Sequence, residues 1–194
     1  MAYHMVLAWQ RMPSWMNAAG YRHVEVFMVP FPDTGFLEKS RIFYTSYMGE
    51  SFSMNLLKVR RPAADWSLLA IPLSCEEYEN AQNYLGRLRD AKVHYNYADL
   101  AMVLAPKFLV QSLMPDVEPG CIPSHVFCSQ AALLVLKNAL MQKDRSDRLP
   151  EILAGVNSRT CTPNRLYRIL QQSGAAVQGD VESFFETGHV PLTE

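Results

Sequence analysis

The sequence predicts a single α+β domain built around an antiparallel sheet. In the first half of the chain, runs rich in β-branched and aromatic residues follow one another with short connections, which is typical of a β-meander. In the second half, apolar residues recur at helical spacing. The length of 194 residues, 49% of them hydrophobic, suits one domain with a large core. We therefore expect one domain over 1–194, with the segments 1–20 and 180–194 at its periphery.

Four strands are predicted in order along the first half of the chain. The first covers 23–29, and a turn at 31–35 follows it. The other three strands cover 41–47, 52–59 and 66–73. Alternation in the first strand predicts two faces, with Val24, Val26 and Met28 on one and His23, Glu25, Phe27 and Val29 on the other.

Two helices have clear end signals in the sequence. Ser74 is a typical N-cap, and Glu77 three residues later completes a capping box, so a helix begins there. Thr162 is the predicted N-cap of a later helix, with Pro163 at its first position and Gly174 just past its end.

The chain between these two helices contains a third helix and less regular segments. Residues 95–100 begin another ordered segment, for which a helix through Val103 is one option, and the proline-rich stretch 106–123 is mostly a predicted loop. A helix then runs from Cys128 to about Gln142, and a charged linker follows at 143–148. No periodicity predicts an element after 179.

The composition argues against several classes of function. The formal net charge is −1 and no basic run exceeds Arg60-Arg61, so we expect no nucleic-acid partner. The first residues lack the features of a secretory signal, and no apolar stretch is long enough for a transmembrane segment. The four cysteines do not form the pattern of a disulfide framework, so we expect a reducing, intracellular and cytoplasmic setting.

Cys128 is the strongest candidate for a reactive residue. A turn signal precedes it and a long apolar run follows it, which places the thiol at the start of a helix. Free N–H groups and the helix dipole at such a position favour an anion, and the thiolate is the nucleophilic form of cysteine. The alternative is ordinary, because a lone buried cysteine is usually a small hydrophobic residue.

His23 and Glu25 are the candidate partners of this thiol. A cysteine protease or amidase needs a base that also protonates the leaving group, and a third group that orients the imidazole. The two residues lie two apart on a predicted strand, so both side chains leave the same face, about 7 Å apart at Cα. A strand histidine is often only a half-exposed polar residue, which is the plainer interpretation.

Two rival sites remain open on the sequence alone. His125 is three residues before Cys128, within reach if both lie on one helix surface, and is an alternative base. A zinc site is the other rival, with ligands of acceptable type at Cys121, His125, Cys128 and Cys161. The chain lacks the paired CxxC knuckles of structural zinc sites, so we expect no metal.

The order of these motifs resembles the permuted papain-like hydrolases of the NlpC/P60 superfamily, in particular the YaeF/YiiX-like group with relatives in large DNA viruses. In papain the cysteine helix precedes the histidine strand, whereas in the permuted group, as here, it follows. Members typically show a His-Val-Glu-like strand, a Cys-Ser-Glu helix start and a late Ser/Thr-Pro-x-x-Leu motif. The matching segments are 23–26, 127–130 and 158–167, and the similarity spans roughly 21–170.

The resemblance implies a circularly permuted papain-like fold, with the nucleophile helix packed on the sheet, and amide, peptide or acyl-thioester chemistry. The chain departs from the pattern at Gln130, where an acidic residue is common. Many relatives take the third catalytic group from the strand after the histidine, where this chain offers Thr45 or Ser46, with Glu38 before and Glu50 after. We prefer Glu25, because an acidic residue two positions after the histidine recurs in the group.

The sequence therefore predicts a cysteine hydrolase that needs no cofactor. The expected catalytic residues are Cys128, His23 and Glu25, and the expected substrate-binding residues are Tyr95, Tyr97 and Gln130. For the two tyrosines the plainer interpretation is a place in the core with the hydroxyl in contact with water. The substrate is expected to be a peptide, an isopeptide or an acyl ester. The alternatives are an acyltransferase or lipid hydrolase that uses the same residues, with the apolar segment 1–19 as a lipid-facing flap, and an inactive scaffold of the same fold. For that segment, core packing or a dimer contact is the favoured explanation.

Overall fold

The computed structural model of the chain describes residues 3–11, 20–29, 42–45, 52–56, 63–97, 115–140 and 147–187. Several predicted features lie outside these residues. They are the turn at 31–35, the outer ends of the strands at 41–47 and 52–59, most of the segment 95–103, the loop up to 114 and most of the linker 143–148.

An antiparallel sheet forms the centre of the described structure. The strands are β1 (Tyr3–Arg11), β2 (Tyr21–Val29), β3 (Ile42–Thr45), β4 (Ser53–Leu56), β5 (Trp66–Leu73), β6 (His94–Tyr95), β7 (His125–Val126) and β8 (Val177–Gly179). The main sheet has the order β4-β3-β2-β1-β5-β8, and all its neighbouring strands pair antiparallel. Strands β6 and β7 form a separate parallel pair. The predicted α+β class with an antiparallel sheet is confirmed.

Five α-helices are described, and two of them confirm their predicted ends. They are α1 (Cys75–Asp90), α2 (Cys128–Ala139), α3 (Leu149–Ala154), α4 (Pro163–Ser173) and α5 (Val181–Thr187). Ser74 accepts from the Glu77 N–H and the Ser74 N–H donates to Glu77, which is the capping box of α1. Helix α4 has Thr162 as its N-cap and Gly174 in the left-handed conformation at its end.

Strand β1 corrects the expectation that the segment 1–20 is peripheral. It lies inside the sheet between β2 and β5, and residues 5–9 are fully buried. These side chains are buried on both faces of the sheet, so the run is continuously apolar and does not alternate. A short apolar run without alternation gives no clear strand signal, which is why the sequence did not predict β1.

The two faces of the sheet are covered by different helices. Val24, Val26 and Met28 belong to the larger core, which packs against α1, α2 and α4. On the opposite face, Phe27 and Val29 pack with residues of β1, β5 and α5. The predicted alternation of the apolar residues in β2 is confirmed.

The end of the chain also corrects a prediction, since residues up to 187 are integral to the fold. Phe184 and Phe185 of α5 are buried, and both rings pack against Phe27. The centroid of the Phe27 ring is 5.1 Å from that of Phe184 and 6.4 Å from that of Phe185. Strand β8 adds to the sheet beside β5. The expected peripheral tail at 180–194 therefore covers one face of the sheet, as far as it is described.

Helix α2 is the central helix of the larger core. It packs against α1, β2, α3, α4 and a 3₁₀ turn at Ser158–Thr160. Ten of its twelve residues are buried. A helix enclosed in this way holds its first residue at a fixed place relative to β2.

Candidate active site

Cys128 is the first residue of α2, as the sequence predicts. Phe127 before it is extended, with φ −107° and ψ 168°, so the chain turns into the helix at the cysteine. The first N–H groups of an α-helix have no partner within the helix, and they lie here beside the thiol. Cys128 itself is 5% exposed.

Strand β2 places the side chain of His23 beside this thiol. Its imidazole forms a side-chain hydrogen bond with Cys128, and its Nε2 lies 3.6 Å from Glu25 Oε1, within ion-pair distance. Strand β3 pairs with β2 only at Val26 and Phe27, so within the described residues the first half of β2 has a strand on one side only. The hydrogen bond to Cys128 shows that the start of α2 meets β2 along this stretch.

The charge of His23 follows from the balance between burial and its two partners. Burial lowers the pKa of the imidazole, but the hydrogen bonds and charges of Cys128 and Glu25 outweigh it and raise the pKa to about 9. The histidine is therefore an imidazolium at neutral pH.

Glu25 provides a negative charge in a fully buried position. Its exposed fraction is 0%, and it pairs across the sheet with Ala8. A carboxylate removed from water is strongly destabilising unless a cation or hydrogen-bond donor compensates it, and the His23 imidazolium lies within ion-pair distance. Glu25 thus occupies the position of a residue that orients the imidazole.

Tyr95 lies near the thiol, and Tyr97 lies beside Tyr95. The pairing of β6 with β7 places Tyr95 opposite Val126, two residues before Cys128. Burial, then the charges of Cys128 and Tyr97, raise the pKa of Tyr95 to about 12, so its hydroxyl stays protonated. The two tyrosine rings are 5.0 Å apart, and Tyr97 is 50% exposed.

Gln130 has a different position from the one expected of a substrate-binding residue. Its side chain is buried, and Oε1 accepts a hydrogen bond of 3.4 Å from the Phe127 N–H. The amide therefore caps the start of α2, and its contact is with the backbone. The sequence did not reveal this, because the side chain of the third residue of a helix can either bond to the backbone at the helix start or face a substrate.

The rival base and the rival metal site are not assembled in the described structure. His125 lies in β7, exposed, with Nδ1 2.9 Å from Ser124 Oγ and its ring beside His94. Cys161 is buried, and burial raises the pKa of its thiol to about 12. Within the described residues, no group of three or more His, Cys, Asp or Glu side chains is placed to hold a metal ion.

Of the other options for the third catalytic group, Glu38, Ser46 and Glu50 lie outside the described residues. Thr45 ends β3, whose two pairs with β2 are Val26↔Tyr44 and Phe27↔Phe43.

Ser129 and Asp116 hold α2 in place, and the sequence did not single them out for this. Ser129 Oγ donates a hydrogen bond of 2.7 Å to the carbonyl of Cys161. Asp116 accepts from Lys137 Nζ at 2.5 Å and from Ser158 Oγ at 2.6 Å. Burial raises the pKa of Asp116, but the hydrogen bonds from Lys137 and Ser158 together have a larger effect in the opposite direction. The pKa of Asp116 is therefore below its usual value.

These two contacts tie α2 to the segment 158–161 near both ends of the helix. The late motif that includes Ser158 and Cys161 thus supports the helix that begins at Cys128. The polar Ser129 just after the cysteine is a signal that the sequence offers, whereas a single aspartate in a proline-rich loop offers none.

Comparison of the chain with family models, with curated proteins and with solved structures gave no match. None of the described helices combines the length and the apolar character needed to cross a membrane.

Proposed function

We propose that this chain is a cysteine hydrolase that cleaves amide or acyl-ester bonds through Cys128, His23 and Glu25. One observation carries the proposal: a buried imidazole on β2 is hydrogen-bonded to a thiol at the start of α2 and lies within ion-pair distance of a fully buried carboxylate. A nucleophile, a base and an orienting acid in contact are the constellation that acyl transfer requires. A structural cysteine in a core needs neither an imidazolium nor a carboxylate.

The chemistry begins with the sulfur of Cys128. In the starting state His23 already holds the proton and the sulfur is the thiolate, which attacks the carbonyl carbon of the substrate to form a tetrahedral intermediate. The bond to the leaving group then breaks, and the His23 imidazolium gives its proton to the departing amine or alcohol. Water then gives a proton to the neutral imidazole and attacks the acyl-thioester; the carbon–sulfur bond breaks, the acid leaves, and the thiolate and the imidazolium are restored.

The oxyanion of the tetrahedral intermediate would lie at the N-terminus of α2. There the N–H groups that have no partner within the helix, including that of Cys128, are the available donors. Glu25 keeps the imidazole oriented and stabilises its cationic form, which each half of the reaction needs.

The proposal also concerns the fold, which we assign as a circularly permuted papain-like fold. An antiparallel sheet, a histidine on the second strand and a later cysteine at the start of a helix packed against that strand support it. The assignment rests on the motifs quoted from the sequence and on this chain order.

The test is a short pulse of iodoacetamide at mildly acidic pH, followed by peptide mapping. Cys128 should be labelled at least about 10-fold faster than the other cysteines, because its sulfur is in contact with the His23 side chain, the arrangement of an activated nucleophile. Cys75 is the matched control: it is exposed and also begins a helix, but its sulfur contacts are with Tyr3 and Glu79. His23→Gln should bring the rate at Cys128 down to that at Cys75 or below.

A second assay separates a reactive thiol from an enzyme. An activated ester such as p-nitrophenyl acetate should leave one acyl group on Cys128, detected by mass spectrometry, and Cys128→Ala should abolish it. His125→Ala should leave acylation intact. If the native protein is neither alkylated nor acylated at Cys128, the chain is a scaffold and the proposal fails; if His125→Ala is inactive and His23→Ala active, the base is wrongly assigned.

A further inference from the structure

The second cluster of functional side chains in the described structure is a pair of histidines on the small parallel sheet. His94 in β6 and His125 in β7 are directly paired in register, and both side chains are exposed. Their ring centroids are 5.8 Å apart and their planes are inclined by 41°. Paired residues on neighbouring strands project from the same face of a sheet, so the rings lie side by side in solvent.

The spacing of the two rings suits a shared metal ion. Histidine nitrogens bind Zn²⁺ at about 2.0–2.1 Å, so two rings on one tetrahedral ion have centroids roughly 5 Å apart. The separation here is 5.8 Å, and small rotations of two exposed side chains close the difference. The backbones are already joined, since the His94 N–H bonds to the Ser124 carbonyl and the Asn96 N–H to the Val126 carbonyl.

Ser124 orients the ring of His125, one of the two ligands. Its hydroxyl oxygen is 2.9 Å from Nδ1 of His125. When Nδ1 carries the proton and donates to that oxygen, Nε2 has the free electron pair that a metal requires. Metal-binding histidines commonly donate their other ring N–H to such a partner, which fixes the tautomer and the ring orientation.

We propose that His94 and His125 form a surface site for a divalent transition-metal ion such as Zn²⁺. The described residues supply no third histidine, cysteine or carboxylate to this pair, so water completes the coordination. Two protein ligands predict reversible binding, far weaker than that of a structural zinc site with four ligands. The ion would cross-link the segments 94–96 and 124–126, of which the second leads into α2. The site stands independently of any activity of Cys128.

The experiment is a calorimetric titration of the full chain with ZnCl₂ at pH 7.5, in parallel with variants. Wild type should bind zinc, and His94→Ala and His125→Ala should each weaken this binding at least about 10-fold, because one ligand cannot hold the ion alone. Ser124→Ala should weaken binding to a smaller extent, as loss of a supporting hydrogen bond does.

Two control variants cover the other ligands that zinc could find. Cys128→Ala removes the thiol beside His23, and Cys121→Ser removes an exposed thiol near β7 in sequence; zinc binding at the histidine pair should survive in both. Zinc should also raise Tm in these controls and leave it unchanged in the two histidine variants. Binding that persists in His94→Ala and His125→Ala, or that is lost in Cys121→Ser or Cys128→Ala, overturns the proposal.

Discussion

At the scale of single residues, the charge of the candidate site depends on a carboxylate that water does not reach. Glu25 is fully buried, and the His23 imidazolium lies within ion-pair distance of it. Together with Cys128 it raises the pKa of that imidazole to about 9 against the effect of burial. The protonation state of His23 is therefore set by two residues that lie far apart in the chain.

Replacing Glu25 by glutamine should lower the pKa of His23. Glutamine keeps the shape and a hydrogen-bonding group but removes the charge that stabilises the imidazolium. The pKa of His23 should therefore fall by about 1 or more. The measurement is an NMR titration of the His23 ring. A pKa of His23 that stays near 9 in Glu25→Gln would assign the whole upward effect to Cys128.

The same pKa predicts how stability depends on pH. The value for His23 is raised from 6.5 to about 9 on folding, so the protonated imidazole stabilises the native state fully below pH 6.5. This stabilisation, on the order of 3 kcal/mol, is lost as pH rises through 9. Urea unfolding at pH 6 and pH 9.5 measures it.

The reference for that measurement is the double variant His23→Gln/Glu25→Gln, since His23→Gln alone removes the cation beside a buried carboxylate. The free energy of unfolding should fall more steeply with pH in the wild type than in the double variant. Parallel pH dependences in the two proteins would contradict a raised pKa at His23.

The residues of this site differ in how far the sequence predicts their positions. The two-residue spacing of His23 and Glu25 and the position of Cys128 at a helix start are local, so both are visible in the sequence. The bond from Gln130 to the backbone and the bonds of Asp116 to Lys137 and Ser158 are not, because each depends on which of several possible partners the fold supplies.

At the scale of elements, the beginning of β2 is fixed by its contact with the beginning of α4. The Tyr21 N–H donates to Asn164 Oδ1 at 2.5 Å, and Trp9 Nε1 donates to the Pro163 carbonyl at 3.2 Å. Gly20 lies directly against the Asn164 side chain, with a positive φ of 154°. This contact lies just before His23, so the late Thr-Pro-Asn segment helps to position the histidine strand.

Replacing Gly20 by alanine should destabilise the protein. The added Cβ would overlap the Asn164 amide, and the backbone conformation is one that residues with a side chain rarely adopt, so we expect a loss of about 1–3 kcal/mol. Urea unfolding checks this. Gly86→Ala is the matched control, because Gly86 lies inside α1 with open space around it and should gain up to about 1 kcal/mol. Equal effects at the two glycines would rule out the close contact.

The ends of elements were the most predictable part of the fold. The capping box at Ser74 and the N-cap at Thr162 each depend on residues within one turn of the helix, so the sequence contains all that is needed. Helix α5 has only seven residues, which is too short for a periodic pattern to stand out.

At the scale of the whole molecule, the sheet separates two hydrophobic cores of unequal size. The larger one lies under α1, α2 and α4, and the smaller one under α5. The sequence predicts the class and four of the six strands of the main sheet, because these follow from local patterns. It did not predict that β1 is central or that α5 closes the second face, because both facts depend on partners far along the chain.

Truncating Phe184 should show that α5 is integral to the fold. Its ring is almost fully buried against Phe27, so Phe184→Ala should cost about 3–5 kcal/mol in the free energy of unfolding. Ile152→Ala is the control, since Ile152 is an exposed apolar residue on α3 and should change stability by less than about 1 kcal/mol. A loss below that of the control would mean that α5 is dispensable.

The central position of β1 has a consequence for how the chain is made. On a ribosome β1 emerges before both of its partners and can form a hairpin with β2 soon afterwards, but its other edge must wait for β5, because Tyr3 pairs with Leu73. Until then the buried run Met5, Val6, Leu7, Ala8 and Trp9 has one unpaired edge, the feature by which nascent chains associate wrongly. Contacts so distant in sequence also slow folding. Expression at low temperature, or with chaperones that cover exposed strands, should therefore raise the yield of native protein by protecting this strand while β5 is still being synthesised.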